Sequence, residues 1–310
     1  MSQVTTASDN IVRRGRPRII FGDRGFAYMA IFPAFAVFLL LVAVPAITVI
    51  AMSFQDVQLG QTTGQFVGLE NFTEALTSAE VLASLSNTFI WVFGSVACEM
   101  ILGLGLALLL NKRFWIRPVL RVVILAPYLI PTVVAVLVWR YMLDDIFGIL
   151  NHILLVLNVI DGPIAWLSGP NWAMAAVILV GTWKSTPFAV IAILGILQAI
   201  PREPYEAAMI DGASRFQQFW HLTLPMIMPV FLVTALLRTI WAFHKFDLIF
   251  LLTGGGPVDA TTTLPVLIYL RGFNDFAAGS ASAIAVILLF IILVFLGIHA
   301  LLMRRAERSL

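Results

Sequence analysis

The chain carries six apolar runs, each long enough to cross a lipid bilayer as a helix, and that recurrence constrains the fold more than any motif does. A hydrocarbon core of about 30 Å takes roughly 20 helical residues to span. The runs lie at about 27–53, 85–110, 120–143, 173–198, 226–252 and 279–303. They are continuously apolar instead of alternating over about ten residues, which selects helices over barrel strands and keeps each backbone amide satisfied within its own segment. Composition agrees: 60% of the 310 residues are apolar and 12% are charged, against roughly 25% charged in a soluble domain. The expected fold is an all-α integral membrane protein with six transmembrane helices.

Lys and Arg accumulate on cytoplasmic flanks, so their distribution orients such a bundle. Arg13, Arg14, Arg16, Arg18 and Arg24 precede the first run, and Lys112, Arg113, Arg117 and Arg121 fill the second connection. Arg202 and Arg215 lie in the fourth connection, and Arg304, Arg305 and Arg308 follow the last run. The connections 55–84 and 144–172 hold acidic residues and no Lys or Arg, and 253–278 holds only Arg271. Both termini are therefore expected inside, with a cytoplasmic arm over 1–26, a membrane domain over 27–303 and a tail over 304–310. The first run is too long for a cleaved signal segment and reads as a retained anchor.

Several chemistries find no support. No G-x-x-x-x-G-K-[ST] phosphate loop occurs, so any ATP and Mg²⁺ would be bound by another polypeptide and no cofactor is expected here. The four histidines and single cysteine form no metal-ligand spacing and no nucleophile-base signature, so neither metal nor catalytic residues are expected. Cys98, inside the second run, reads as a small packing residue, and His152 and His221 as surface residues, with His299 near an inner helix end. A net charge of +2 without basic-aromatic interleaving does not suggest nucleic acid. Membrane lipid is the partner that composition implies.

The segment 200–229, IPREPYEAAMIDGASRFQQFWHLTLPMIMP, is too polar and too rich in proline to span lipid. Pro201 and Pro204 suit a helix start, and Gly212 suits the left-handed residue after a helix end, which predicts a short helix from about Arg202 to Asp211. Ser214 is placed to cap a second short helix through about His221. Ala207 and Ala208 permit close approach of a partner, and Glu206 and Asp211 offer acceptors. On physics alone an interfacial amphipathic loop explains the segment equally well.

Charges at membrane depth cost at least about 2.5–3.5 kcal/mol each, which marks them as functional candidates. Lys184 and Arg238 lie near the middle of the fourth and fifth runs, beside Trp183 and Trp241. Guanidinium donors suit hydroxyl, carboxylate or phosphate oxygens, and aromatic faces suit a pyranose ring. Structural pairing of the two cations with helix ends, with Glu99 or with a carboxylate of a partner subunit is the open alternative. Asp247 is expected to pair with Lys245 or His244. Pro127, Pro131 and Pro187 either permit bends used in transport or form static kinks.

Glu206, Ala207 and Ala208, then three residues and Gly212, then nine residues and Leu222, with Leu224 and Pro225, resemble the EAA motif of bacterial ATP-binding-cassette (ABC) importer permeases. The stretches FVGLENFTEAL at 66–76 and FHKFDLIFLLTGGGPVDATTTL at 243–264 look like the carbohydrate-uptake branch, and the resemblance extends from about Ala27 onward. It implies the type I importer permease fold in its compact six-helix form and a bacterial inner-membrane location. It also implies a coupling loop over 200–225 that docks on an ATPase, so that Glu206, Ala207, Ala208, Asp211, Gly212, Leu224 and Pro225 become coupling residues. The implied partners are a second permease, two nucleotide-binding subunits and an extracytoplasmic solute-binding protein. By the same resemblance the substrate pathway passes Gly181, Lys184, Ser185 and Phe188, with Arg238, Trp241 and Ala242, and the two cations depart from the maltose-type lining. The implied cargo is a sugar or, alternatively, an anionic polyol such as glycerol phosphate or a sulfo-sugar. A secondary transporter or channel is the competing class, and an intramembrane enzyme a remoter one.

Overall fold

The computed structural model of the chain describes residues 21–61 and 63–307. Arg13, Arg14, Arg16, Arg18 and Arg308, among the basic residues expected on the inner side, lie outside the described residues.

The first helical stretch runs from α1 (Phe21–Phe38) through a π turn at Leu39–Ala43 into α2 (Val44–Met52). Its large apolar side chains, among them Phe32, Phe35, Leu40 and Ile47, are exposed. A helix that is apolar all round requires lipid or protein against it. This stretch, as far as Thr48, is a compact unit by itself, and the fold from Val49 onward is a second one.

The second unit opens with a short antiparallel ribbon, β1 (Gln55–Asp56) on β2 (Gln65–Phe66), with Gln55 opposite Phe66. Helices follow in the order α3 (Glu70–Thr77), α4 (Ala79–Asn111), α5 (Arg117–Leu129), α6 (Thr132–Met142), α7 (Ile149–Val156), α8 (Pro170–Ala199) and α9 (Glu203–Ile210). Then come α10 (Arg215–Gln218), α11 (Leu224–Phe243), α12 (Asp247–Thr253), α13 (Leu264–Tyr269) and α14 (Ala278–Glu307). Among the described residues, five helical stretches are long and apolar enough to cross a membrane: Tyr28–Met52, Ala79–Asn111, Pro170–Ala199, Arg215–Phe243 and Ala278–Leu301.

The third apolar run is interrupted at Pro131, one of the prolines expected to bend or kink a helix. It divides into α5 and α6, bent by 104° across Ile130 and Pro131. A proline clashes with an α-helical residue before it, and Ile130 accordingly adopts extended backbone, φ −71° and ψ 129°. The fifth run differs from its expected span. Its helix ends at Phe243 instead of continuing to 252, and a break at 244–246 separates it from α12. At its other end the predicted short helix at Ser214 does not stop at His221. A π turn over Phe219–Thr223 fuses α10 to α11, with the Leu224 amide bonded to the Phe219 carbonyl. Pro225 then falls at the start of α11, where its missing N–H is harmless. Pro187 lies within α8 without dividing it.

The core is the seam between α4 and α8. Buried positions on α4 recur at Trp91, Val92, Ser95, Val96, Glu99, Met100, Gly103 and Ala107, the three- and four-residue spacing of one helix face. In lipid no hydrophobic force draws helices together, so close van der Waals approach has to. Gly103 permits it: a Cβ there would stand 2.6 Å from that of Ala189. Polar ties reinforce the far end of α4. Asn87 donates to the carbonyls of Asp259 and Thr262, and Thr88 Oγ1 accepts from the Leu264 amide at 2.8 Å. Cys98 is exposed, so it is not the packing residue expected.

Candidate substrate pathway and coupling loop

Buried at the centre of α4 and α11, Glu99 and Arg238 form a bidentate pair. Arg238 donates from Nε at 2.6 Å and from Nη2 at 2.9 Å to the two carboxylate oxygens. Of the partners open to Arg238 from the sequence, the intrachain carboxylate is the one it meets, and Nη1 is not used in that pair. The guanidinium also lies over the Trp241 ring, 5.6 Å from its centroid, a cation–π contact.

Lys184 meets a helix end. Its Nζ donates to the Ile130 carbonyl at 2.5 Å and to that of Pro127 at 3.5 Å. These carbonyls belong to the last turn and C-cap of α5, where the break at Pro131 leaves acceptors without intrahelical donors. A cation at a helix C-terminus is also favoured by the peptide dipoles. Asp247 pairs with Lys245 at 2.8 Å.

Arg238, Lys184, Lys245 and Asp247 share one cavity of about 330 Å³. Gly181, Lys184, Ser185, Arg238, Trp241 and Ala242 all line it. Phe188 does not, but its ring packs edge-on against Trp241 at 4.9 Å and tilted near Tyr128 at 6.4 Å, behind the lining. Trp91, Tyr128, His244, Lys245, Asp247 and Leu248 complete the wall, and the sequence reading assigned none of them to it. Asp247 and Lys245 had a visible signal, two charges within an apolar run. Trp91 and Tyr128 had none, because they come from other helices.

Gly181 has a specific reason to be glycine: a Cβ there would collide with Cη2 of Trp91, whose Nε1 donates to the Ala242 carbonyl at 3.0 Å. That bond ties α4 to α11 across the cavity, so Gly181, Trp91 and Ala242 form one packed unit.

The polar segment forms the expected helix, α9, with Arg202 and Asp211 as its flanking residues. Gly212 adopts the left-handed conformation, φ 79°. Ser214 accepts from the Gln217 amide while the Gln217 side chain accepts from the Ser214 amide, a reciprocal capping box. Glu206, Ala207, Asp211 and Gly212 are exposed, Ala208, Leu224 and Pro225 are half-buried, and Tyr205 hydrogen-bonds Thr223 to tie α9 to the π turn. His152 and His221 are exposed.

Residues 99–308 match the model of the binding-protein-dependent transport system inner membrane component. The trehalose/maltose transport system permease protein MalF of Thermococcus litoralis is 38% identical over 86% of this chain and 90% of its own length. The sulfoquinovosyl glycerol transport system permease protein SmoG of Agrobacterium fabrum is 35% identical over 86% of each chain. A chain of the bacterial alginate ABC transporter, solved in complex with alginate pentasaccharide-bound periplasmic protein, has the same fold: its TM-score is 0.80 at 24% identity, covering 92% of this chain and 96% of that one. The chain therefore belongs to the binding-protein-dependent transport system inner membrane components, the multi-pass inner-membrane permease subunits of ABC transporters.

Proposed function

We propose that this chain forms half of the translocation pore of an ABC importer for a sugar or sugar-like solute. In this reading it crosses the membrane six times with both ends inside, the bent α5–α6 pair counting as one crossing. Residues 1–26 are then the inner arm, 27–303 the membrane domain with its coupling loop at 200–225, and 304–310 the inner tail. A second permease completes the pore. Two ATPase subunits bind the ATP and Mg²⁺, and one of them docks on α9 through Glu206, Ala207, Ala208, Asp211 and Gly212, with Leu224 and Pro225 setting the entry into α11.

The observation that carries the substrate route is the cavity between α4, α8 and α11. It combines the aromatic side chains of Trp91, Tyr128 and Trp241 with donors from Lys184 and Arg238, a combination that suits a pyranose. Relatives named for trehalose/maltose and for sulfoquinovosyl glycerol transport favour the sugar class. The charge count favours a cargo with one acidic group as the second reading. Lys184, Lys245 and Arg238 face the cavity, with Asp247 and Glu99 as their carboxylates, leaving one cation in excess. The alginate relative's complex with its periplasmic protein supports delivery by a solute-binding protein.

The test is reconstitution of the whole transporter in vesicles, with uptake and ATP hydrolysis measured together. Glu206→Ala is expected to abolish both substrate-stimulated hydrolysis and uptake while the chain still inserts. Uptake that persists with a hydrolysis-defective ATPase would replace this reading with a secondary transporter.

A further inference from the structure

A second cavity, about 770 Å³, opens where α4 and α8 end and α9 begins, and shares no lining residue with the candidate pathway. Three guanidiniums line it, from Arg113, Arg117 and Arg202, against one carboxylate, that of Glu206. Among the described residues none of these three arginines forms an ion pair. Nε of Arg117 is buried and without a hydrogen-bond partner. A guanidinium without an ion-pair partner gains charge-assisted hydrogen bonds from an anion, and three of them on one cavity wall favour an anionic occupant.

The rest of the wall suits a lipid. Leu108, Leu197 and Ile200 supply apolar surface beside the cations. Trp115, in the same short connection as Arg113 and Arg117, is 92% exposed. An exposed indole at the end of a membrane helix belongs at headgroup level, and basic pockets between helices at the inner face are the usual seats of anionic headgroups.

We infer that this cavity is a binding site for the phosphate of an anionic phospholipid of the inner leaflet. Arg117 and Arg113 hold the phosphate, and Arg202 brings the start of α9 to the same anion. The inference rests on the inward placement of α9 proposed above. It differs from the coupling reading in its ligand and in needing no ATPase.

The full-length chain, purified alone in detergent, is titrated with phosphatidylglycerol, phosphatidylethanolamine or inorganic phosphate, and bound species are counted by native mass spectrometry. Phosphatidylglycerol should be retained roughly tenfold over phosphatidylethanolamine, with the preference weakening as salt rises. Each Arg→Gln change at 113, 117 or 202 should lower it roughly fivefold, from about 1 kcal/mol per cation near the surface, while Arg140→Gln, outside the cavity, leaves it unchanged. Equal retention of the two lipids, or saturation by inorganic phosphate alone, overturns the inference. Adding the ATPase subunit supplies a further arm: retained lipid supports the site, whereas lipid stripped at one equivalent gives the cavity to the protein partner and overturns it. The wild-type lipid and salt comparison decides the matter if a variant does not fold. Failure of Glu206→Ala to uncouple transport would leave this result untouched, which separates the two readings.

Discussion

Arg238 holds Glu99 through two parallel hydrogen bonds between residues 139 positions apart in the chain, with Glu99 1% exposed and Arg238 9% exposed. The pair locks α4 to α11, with Arg238 lining the candidate pathway. Removing one partner strands a buried charge, which costs about 3–5 kcal/mol, whereas replacing both by similar-sized uncharged groups is close to neutral. Glu99→Ala and Arg238→Ala should therefore each sharply lower the melting temperature of the detergent-solubilised chain. Glu99→Gln with Arg238→Met should recover most of the loss. If Arg238 also serves the substrate, that double variant will insert and assemble normally yet fail in uptake; normal uptake would make the pair purely structural.

Lys184 bonds the Ile130 and Pro127 carbonyls at the end of α5, next to the 104° bend. A cation at a helix C-terminus contributes about 0.3–2 kcal/mol. Lys184→Met should cost stability on that scale and no more, because the methionine preserves the stem. Uptake should fall much further than stability, since the donor facing the cavity is lost and the bend is no longer held. Wild-type transport kinetics in Lys184→Met would remove the lysine from the pathway.

Much of this arrangement is legible in the sequence, and the part that is not has physical causes. Apolar run length located five of the long apolar helices because each satisfies its backbone within its own segment. Local chemistry also located α9, since Pro204 and Gly212 act on their own neighbours. The bend at Pro131 was visible only as a proline: whether such a residue kinks a helix or breaks it depends on what accepts and donates around it. Here Lys184, from α8, takes the freed carbonyls, a contact that spacing along the chain cannot disclose. Pro187 has the same local signal but stays inside an unbroken helix. The second side of the cavity was hidden for the same reason, because Trp91 and Tyr128 reach it from α4 and α5. Cys98 was misplaced because a continuously apolar run does not announce which of its faces is buried.

Glycine positions on α8 provide a controlled comparison. A Cβ at Gly181 would collide with the Trp91 ring, whereas one at Gly195 meets open space. Gly195→Ala should leave stability and transport unchanged, or add slightly to helix stability by about 0.5–1 kcal/mol. Gly181→Ala must displace Trp91, endangering its bond to the Ala242 carbonyl. Its expected signature is a destabilisation of about 1–3 kcal/mol, a changed indole emission and reduced substrate affinity. Indistinguishable behaviour of the two variants would show that Trp91 yields freely and does not shape the cavity.

Gly212 separates conformation from bulk at the end of α9. Its φ is 79° and a Cβ there would touch nothing within 4 Å, so substitution acts through the backbone alone. A residue with an ordinary side chain resists this region by about 1–2 kcal/mol, and a β-branched one resists it most. Asparagine tolerates it far better. Gly212→Asn should therefore keep the turn from Asp211 to Ser214 and with it ATPase docking. Gly212→Val should flatten the turn, shift Ser214 out of its capping box and abolish copurification of the ATPase, while membrane insertion stays normal. Copurification and uptake measured side by side decide the point: equal loss in both variants would mean that the absence of a side chain, and not the left-handed backbone, is what the partner reads at Gly212.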